Sequence, residues 1–382
     1  MKKILVVHTR YKNRGGEDIA VDKEIENLNT KFEVQTLIFE NSEKFYFMQL
    51  FYFLTNNNIR SIRMLKKKIV SFKPDIVYVH NTWFKGSLGI FKYLNKQNIN
   101  TVLKLHNFRY FCTKTYFIRS HLNGHNFCRC CSISKNSNKL FNKYFQNSYL
   151  KSFLVNYYGK KYIKIIKHSN IKIIVLTKFH QKFLEKNNIR RNNVYVNANP
   201  LKLAKLLDVE SKEKTVVYAG RISKEKGVEE LINSFLNSRL DGFSLKIIGD
   251  GPQLKYLQQK YNSKYIEFTG ELKNNDVLKI IAKSRAVVTN TKLYEGQPTI
   301  LSEASLLGIP SIFPDTGGIA EFFPEKYSLK FEPFNDKELE EKLSTLDRAK
   351  LMETIGNKNQ EFINKEFSIN SVLNNFLRII SE

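Results

Sequence analysis

A chain of 382 residues, 42% hydrophobic and 26% charged, has the composition of a soluble globular protein, and at about 150 residues per domain it fills two or three domains. No stretch approaches the roughly 20 apolar residues that cross a bilayer, and residues 4–7 are too short for the core of a cleaved signal, so a cytoplasmic protein is expected. The net charge of +26 excludes an evenly charged molecule: residues 1–200 carry 36 Lys plus Arg against 10 Asp plus Glu, whereas residues 201–382 carry 26 of each.

In chain order, residues 3–8, 33–40, 75–80, 101–106 and 171–177 read as apolar strands with helical stretches between them, the alternation of a parallel sheet. Gly15 and Gly16 fall between the first strand and a helix starting at Glu17, where backbone N–H groups can approach an anion. Glu17 and Asp18 suit a helix start but compete with that anion. His8, His80 and His106 each close a predicted strand, which places them along one edge of the sheet. Residues 44–55 are strongly apolar and aromatic, and five cations follow in residues 60–68. A second aromatic tract with interleaved lysines runs from Leu140 through Tyr149, Phe153, Tyr157 and Tyr158 to Tyr162. Both tracts suit either an anionic membrane interface or buried helices with a basic outer face. Cys112, Cys128, Cys130 and Cys131 cluster around His121 and His125. They read as reduced thiols of a cytoplasmic loop, with a tetrahedral zinc site as the alternative, and only Cys128 and Cys131 form a CxxC pair.

A strand starting at Val194 ends in Asn and Pro where the basic bias stops, so a domain boundary is predicted after residue 198. Strands recur at Thr215, Leu245, Ile266, Ala286, Ser311 and Leu329. The strand before Gly220 turns into a loop carrying Arg221 and Lys226 and then a helix over 229–236; two cations beside a strand's carboxyl end can neutralise a diphosphate. The next strand closes in the tight turn of Gly249 and Gly251, and Gly317 with Gly318 opens a short helix further on. Glu295 leaves the carboxyl end of the strand at residues 285–291, where open parallel sheets bind ligands. Gly296, Gln297, Pro298 and Thr299 lead into a helix expected over 298–307, with Glu303 further along it. Since a carboxylate accepts two hydroxyls at once, Glu295 and Glu303 can hold a sugar and a ribose.

These segments in this order resemble the retaining glycosyltransferases of family 4. The carriers are Gly15 and Gly16, His106, residues 220–227, the Gly249 turn, Glu295 with Glu303, and Gly317 with Gly318. The resemblance covers nearly the whole chain and implies an α/β protein of the GT-B fold, with two Rossmann-like doubly wound domains facing a central cleft. It also implies hexosyl transfer from a UDP- or GDP-sugar with retained configuration, requiring no metal or other cofactor. Expected from it are an acceptor-binding, membrane-facing domain over 1–198, a donor-binding domain over 199–365, and a helix over 366–382 crossing back to the first. Arg221, Lys226 and the N–H groups near Gly15, Gly16 and Pro298 would hold the diphosphate, Glu303 the ribose, and Glu295 and His106 the sugar. The basic aromatic half adds the expectation of an enzyme peripheral to the inner face of the cell membrane. There it would serve a lipid-linked saccharide acceptor in capsule or O-antigen assembly. A nucleotide-sugar epimerase of the same fold is the alternative. A basic nucleic-acid-binding protein is the less favoured second alternative, and a nucleic-acid partner is not expected, because it would leave the glycine, arginine and glutamate motifs unexplained.

Overall fold

Apolar strands alternating with amphipathic helices build two α/β units in the computed structural model, which describes residues 1–11, 15–41, 46–114, 121–135, 142–144, 148–201 and 212–382. One unit comprises residues 1–200 and 372–382, and the other residues 201–371.

The first unit contains β1 (Lys3–Arg10), α1 (Gly16–Leu28), β2 (Glu33–Glu40), α2 (Tyr46–Thr55), α3 (Ile59–Phe72), β3 (Ile76–Val79), α4 (Gly89–Lys96), β4 (Thr101–Leu105), α5 (Tyr149–His168), β5 (Lys172–Val175), α6 (Lys178–Lys186) and β6 (Val194–Val196). Its six strands are parallel in the order β2-β1-β3-β4-β5-β6. The central strands β1, β3 and β4 are buried on both faces, which is why they read as unbroken apolar runs rather than alternating ones. His8 does not close β1 as expected. Pairing with β2 continues two residues further, to Arg10 opposite Glu40, and leaves His8 inside the strand.

The two aromatic tracts divide between core and surface. Phe53 of α2 stacks on Tyr158 of α5 at 5.4 Å, and both are buried together with Tyr162. Phe51 and Leu54 of α2 and Leu150 of α5 face outward. Each helix therefore presents a core face and an apolar outer face at once; Leu140 lies outside the described residues. Among the described residues, no helix is long and apolar enough to cross a membrane.

The second unit contains β7 (Thr215–Ala219), α7 (Val228–Asn237), β8 (Ser244–Ile248), α8 (Leu254–Lys260), β9 (Ile266–Gly270), α9 (Asn274–Lys283), β10 (Ala286–Val288), α10 (Thr299–Leu306), β11 (Ser311–Pro314), β12 (Lys330–Phe331), α11 (Asp336–Ser344) and α12 (Ala349–Glu366). The parallel order β12-β11-β10-β7-β8-β9 reverses direction between β7 and β10. At such a switch point the loops leaving the two strands diverge and open a crevice at their carboxyl ends.

The last helix, α13 (Ile369–Ser381), returns to the first unit from residue 372 onward. Its apolar stripe Val372, Leu373, Phe376, Ile379 and Ile380 is buried, with the Phe376 ring 5.0 Å from that of Tyr78. Asn375 Nδ2 donates to Val196 O and Asn197 Oδ1, each at 2.9 Å.

Candidate functional site

The loops that leave β7 and β10 carry the charged residues singled out in the second unit. Lys226 Nζ donates to Glu295 Oε1 at 2.5 Å, and Thr291 Oγ1 donates to the same oxygen at 3.0 Å. Both partners of the ion pair remain about a quarter exposed, so the pair stays open to a ligand. The backbone holds it from several sides. Lys292 N donates to Glu225 O at 2.8 Å, joining the two loops, and Gly318 N donates to Glu295 O at 2.8 Å. Gly317 has φ +64°, and a Cβ there would lie 2.5 Å from Glu295 O, so only glycine lets the loop after β11 clasp Glu295.

Arg221 projects an exposed side chain, while its carbonyl accepts from Tyr218 Oη at 2.8 Å. The Gly249–Gly251 turn buttresses this loop: Ile222 N donates to Asp250 O at 2.9 Å, and a Cβ on Gly251 would lie 2.2 Å from Ile222 O. Gly249 and Gly251 thus support the Arg221 loop by packing against its backbone. Pro298 caps α10, which begins at Thr299, one residue later than expected. Gly296 is buried, Gln297 is half-buried, and Glu303 is buried at 5% exposure on the same helix.

In the first unit, His106 follows β4 and its Nε2 shares a proton with His80 Nδ1 at 3.0 Å. Only Nδ1 of His106 is then left for a ligand. Burial pushes both imidazoles well below the ordinary histidine range, helped by the Lys104 ammonium, so both are neutral at pH 7. Lys104 is itself fully buried and donates to both oxygens of Glu24 at 2.9 Å, while Tyr78 donates to Oε1 at 2.8 Å. Glu24, His80 and His106 lie close enough to suggest a metal, but the Glu24 carboxylate is already committed to Lys104 and Tyr78. His8 Nε2 pairs with Asp18 Oδ1 at 2.8 Å, with both side chains buried.

Gly15 and Gly16 begin α1, and the Gly15 N–H donates to Asp18 Oδ2 at 3.0 Å. Asp18 therefore closes the helix start and occupies one of the N–H groups expected for an anion. Four further residues come together here whose joint role the sequence did not disclose. Glu17 Oε2 accepts from Tyr11 Oη and from Asn107 Nδ2, each at 3.0 Å, and Asn107 Oδ1 accepts from Arg109 N at 3.1 Å. The Arg109 guanidinium lies 5.2 Å from the Tyr11 ring centre. Burial raises the Glu17 carboxyl to about 7, against the pull of Arg109. The available signal was the acidic helix start together with the polar residues after His106, which are 90 positions away in sequence.

Sγ of Cys112 and Cys128 stand 3.3 Å apart, and His121 Nε2 is 3.0 Å from Cys131 Sγ. No disulfide joins any of the four cysteines.

Residues 203–362 match the family model for glycosyl transferases group 1. Over 149 residues the chain is 28% identical to TuaC of Bacillus subtilis, a candidate teichuronic acid biosynthesis glycosyltransferase, in an alignment covering 39% of this chain and 37% of TuaC. The matched segment is thus little more than a third of that relative's length. Among solved structures, the lipopolysaccharide outer core galactosyltransferase WaaB superimposes with a TM-score of 0.66 at 14% identity, covering 99% of each chain. HepE of Anabaena, solved in complex with UDP, superimposes with a TM-score of 0.68 at 12% identity over the full length of both. Residues 203–362 are thus similar to the group 1 glycosyl transferases, and the two six-stranded sheets of the chain have the GT-B fold.

Proposed function

We propose that the chain is a retaining glycosyltransferase that moves a sugar from a nucleotide sugar to a lipid-linked saccharide in assembly of a bacterial surface polysaccharide. The observation that carries this reading is the Lys226–Glu295 pair at the switch point between β7 and β10. A diphosphate entering there would draw Lys226 away from Glu295. That frees one carboxylate oxygen for a sugar hydroxyl while Lys226 and Arg221 stabilise charge on the leaving group. Glu303 would bind the ribose from α10, and the N–H groups at the start of that helix would assist the phosphates. In the first unit, neutral His106 would offer Nδ1 to the sugar. No step calls on a metal.

Surface-polysaccharide assembly is supported by the names of TuaC and WaaB, and UDP as the first donor to test by the HepE complex. A lipid-linked acceptor is supported by a groove between α4 and α5, where partly exposed Ile165 meets Lys92, Lys161, Lys164 and His168. Such a lining suits an acyl or prenyl chain that ends in phosphate. A thermal-shift screen of UDP- and GDP-sugars finds the donor, because a binder raises the melting temperature by mass action. With the donor known, Lys226→Ala is expected to lower acceptor-dependent kcat by about 10²–10³-fold at saturating donor. It should change stability by less than about 1 kcal/mol, because the pair is partly exposed. Unchanged turnover would remove Lys226 from the leaving-group site, and turnover of donor without acceptor would favour an epimerase. The anomeric configuration of the product, read by NMR, tests retention.

A further inference from the structure

Two short segments of the first unit carry five metal-ligating side chains to one place. Cys112 lies in the 3-10 turn Arg109–Lys114 that follows β4. Cys128, Cys130 and Cys131 lie in a hairpin closed by the Phe127–Ser134 bridge, with His121 ahead of it. The hairpin is shaped by Cys128 N donating to Ile133 O at 3.1 Å and Ser132 N donating to Cys128 O at 3.0 Å. Donor atoms of Cys112, Cys128 and Cys130 lie within 4.8 Å of one another, as do those of His121, Cys128 and Cys131.

These spacings separate the available chemistries. A disulfide requires sulfurs about 2.05 Å apart, and the Cys112–Cys128 pair at 3.3 Å is not one. Two thiolates on a tetrahedral zinc, each with Zn–S near 2.3 Å, stand about 3.8 Å apart; the Cys112–Cys128 sulfurs at 3.3 Å would separate by about half an ångström to reach it, and each set of three donors lies within 4.8 Å. The local packing also needs help. The satellite core of this segment is Leu122 with Cys128 and Cys131, joined by partly buried Cys112, Cys130, Ile133 and Tyr144, so its apolar content is mostly thiol. That is little to fix a loop beside Asn107 and Arg109.

We propose that Cys112, Cys128, Cys131 and His121 bind one structural Zn²⁺. Cys128 and Cys131 form the CxxC chelate, Cys112 brings in the turn after β4, and His121 completes a tetrahedron from its position beside Cys131. Cys130 is adjacent in sequence to Cys131 and is left out of the set. Binding deprotonates three thiols and releases three protons per ion, with the imidazole ligating in its neutral form. Four protein ligands leave no open position, which makes the ion a staple and not a Lewis acid for substrate. The staple would hold the turn carrying Arg109, and through Asn107 the neighbour of His106, in register with α1.

The full-length protein, purified without chelator from zinc-supplemented culture, should contain one zinc per chain by mass spectrometry, released when a mercurial reagent titrates the thiols. Cys112→Ser and Cys128→Ser should lose the metal. Because those variants can also misfold, cobalt exchange into the unaltered chain gives a second readout, expected as visible d–d bands with a near-ultraviolet thiolate-to-cobalt charge-transfer band. His121→Ala should yield zinc to a chelator that leaves the unaltered protein loaded, whereas Cys130→Ser should not. The reverse pattern would overturn the place of His121. Substoichiometric zinc, with all four thiols of the folded protein freely reactive and no cobalt spectrum, would overturn the site altogether. None of these readouts depends on sugar transfer.

Discussion

Glu17 departs from the ordinary behaviour of a carboxyl. Its carboxyl is held among Tyr11, Asn107 and Arg109, and burial raises it from 4.5 to about 7. The folded state therefore binds more protons than the unfolded state between those values, and this group's contribution to stability falls as pH rises through the window. At 1.36 kcal/mol per unit the full effect is roughly 3 kcal/mol. Urea denaturation at pH 4.5 and pH 8 should show the unaltered protein losing about that much more stability than Glu17→Gln over the interval. Parallel behaviour of the two proteins would place Glu17 in water instead. The quartet around Glu17 was not legible in the sequence, because a carboxyl is raised by neighbours that only folding supplies. Lys226 and Glu295 were legible, since both fall in short loops directly after apolar strands. Their ion pair, and the hold of Gly318 on Glu295, required the sheet order.

At the scale of elements, glycines with similar sequence signatures have opposite reasons to be glycine. Gly227 begins α7 at φ +65°, and a Cβ there would lie 2.2 Å from Asn290 O on the loop after β10. Gly227→Ala should cost about 1–3 kcal/mol for the left-handed backbone, with the displaced Asn290 loop adding to it. Gly15 has φ −120° and ψ 179°, which alanine adopts freely, and nothing among the described residues lies within 4 Å of a Cβ there. The fold makes no demand for glycine at that position. Gly15→Ala should leave the denaturation midpoint unchanged and weaken nucleotide-sugar affinity about ten-fold, if the open space admits the donor as the proposed function requires. Denaturation curves and donor titrations on both variants separate the two cases; a destabilised Gly15→Ala with normal donor affinity would reverse the assignment. The strands themselves were readable because most are buried on both faces, and errors gathered where pairing decides length. β1 runs to Arg10 because β2 continues beside it, and β12 shrinks to two residues at the edge of its sheet.

Charge and aromatic placement act on the molecule as a whole. The basic excess of residues 1–200 was visible in composition, but which aromatics face inward was not, because α2 and α5 are apolar on two sides. Packing consigns Phe53, Tyr158 and Tyr162 to the core and leaves Phe51 at 61%, Leu54 at 44% and Leu150 at 66% exposed. Exposed cations Arg60, Arg63, Lys66 and Lys67 follow on α3. Attraction of such cations to an anionic bilayer is worth about 1 kcal/mol each near the surface and is screened within about 10 Å at 0.1 M salt and about 3 Å at 1 M. Burial of apolar side chains at headgroup depth is not screened. If these exposed side chains dock on a membrane, as the composition of residues 1–200 leads one to expect, sedimentation with phosphatidylglycerol vesicles should show strong binding at low salt and a smaller, salt-resistant remainder at 1 M. Phosphatidylcholine vesicles should retain only that remainder. The double variant Phe51→Ser/Leu150→Ser should abolish the remainder while keeping most low-salt binding, because it leaves the cations in place. Equal binding to both lipids, or a salt-resistant fraction untouched by the double variant, would take the docking face away from α2 and α5.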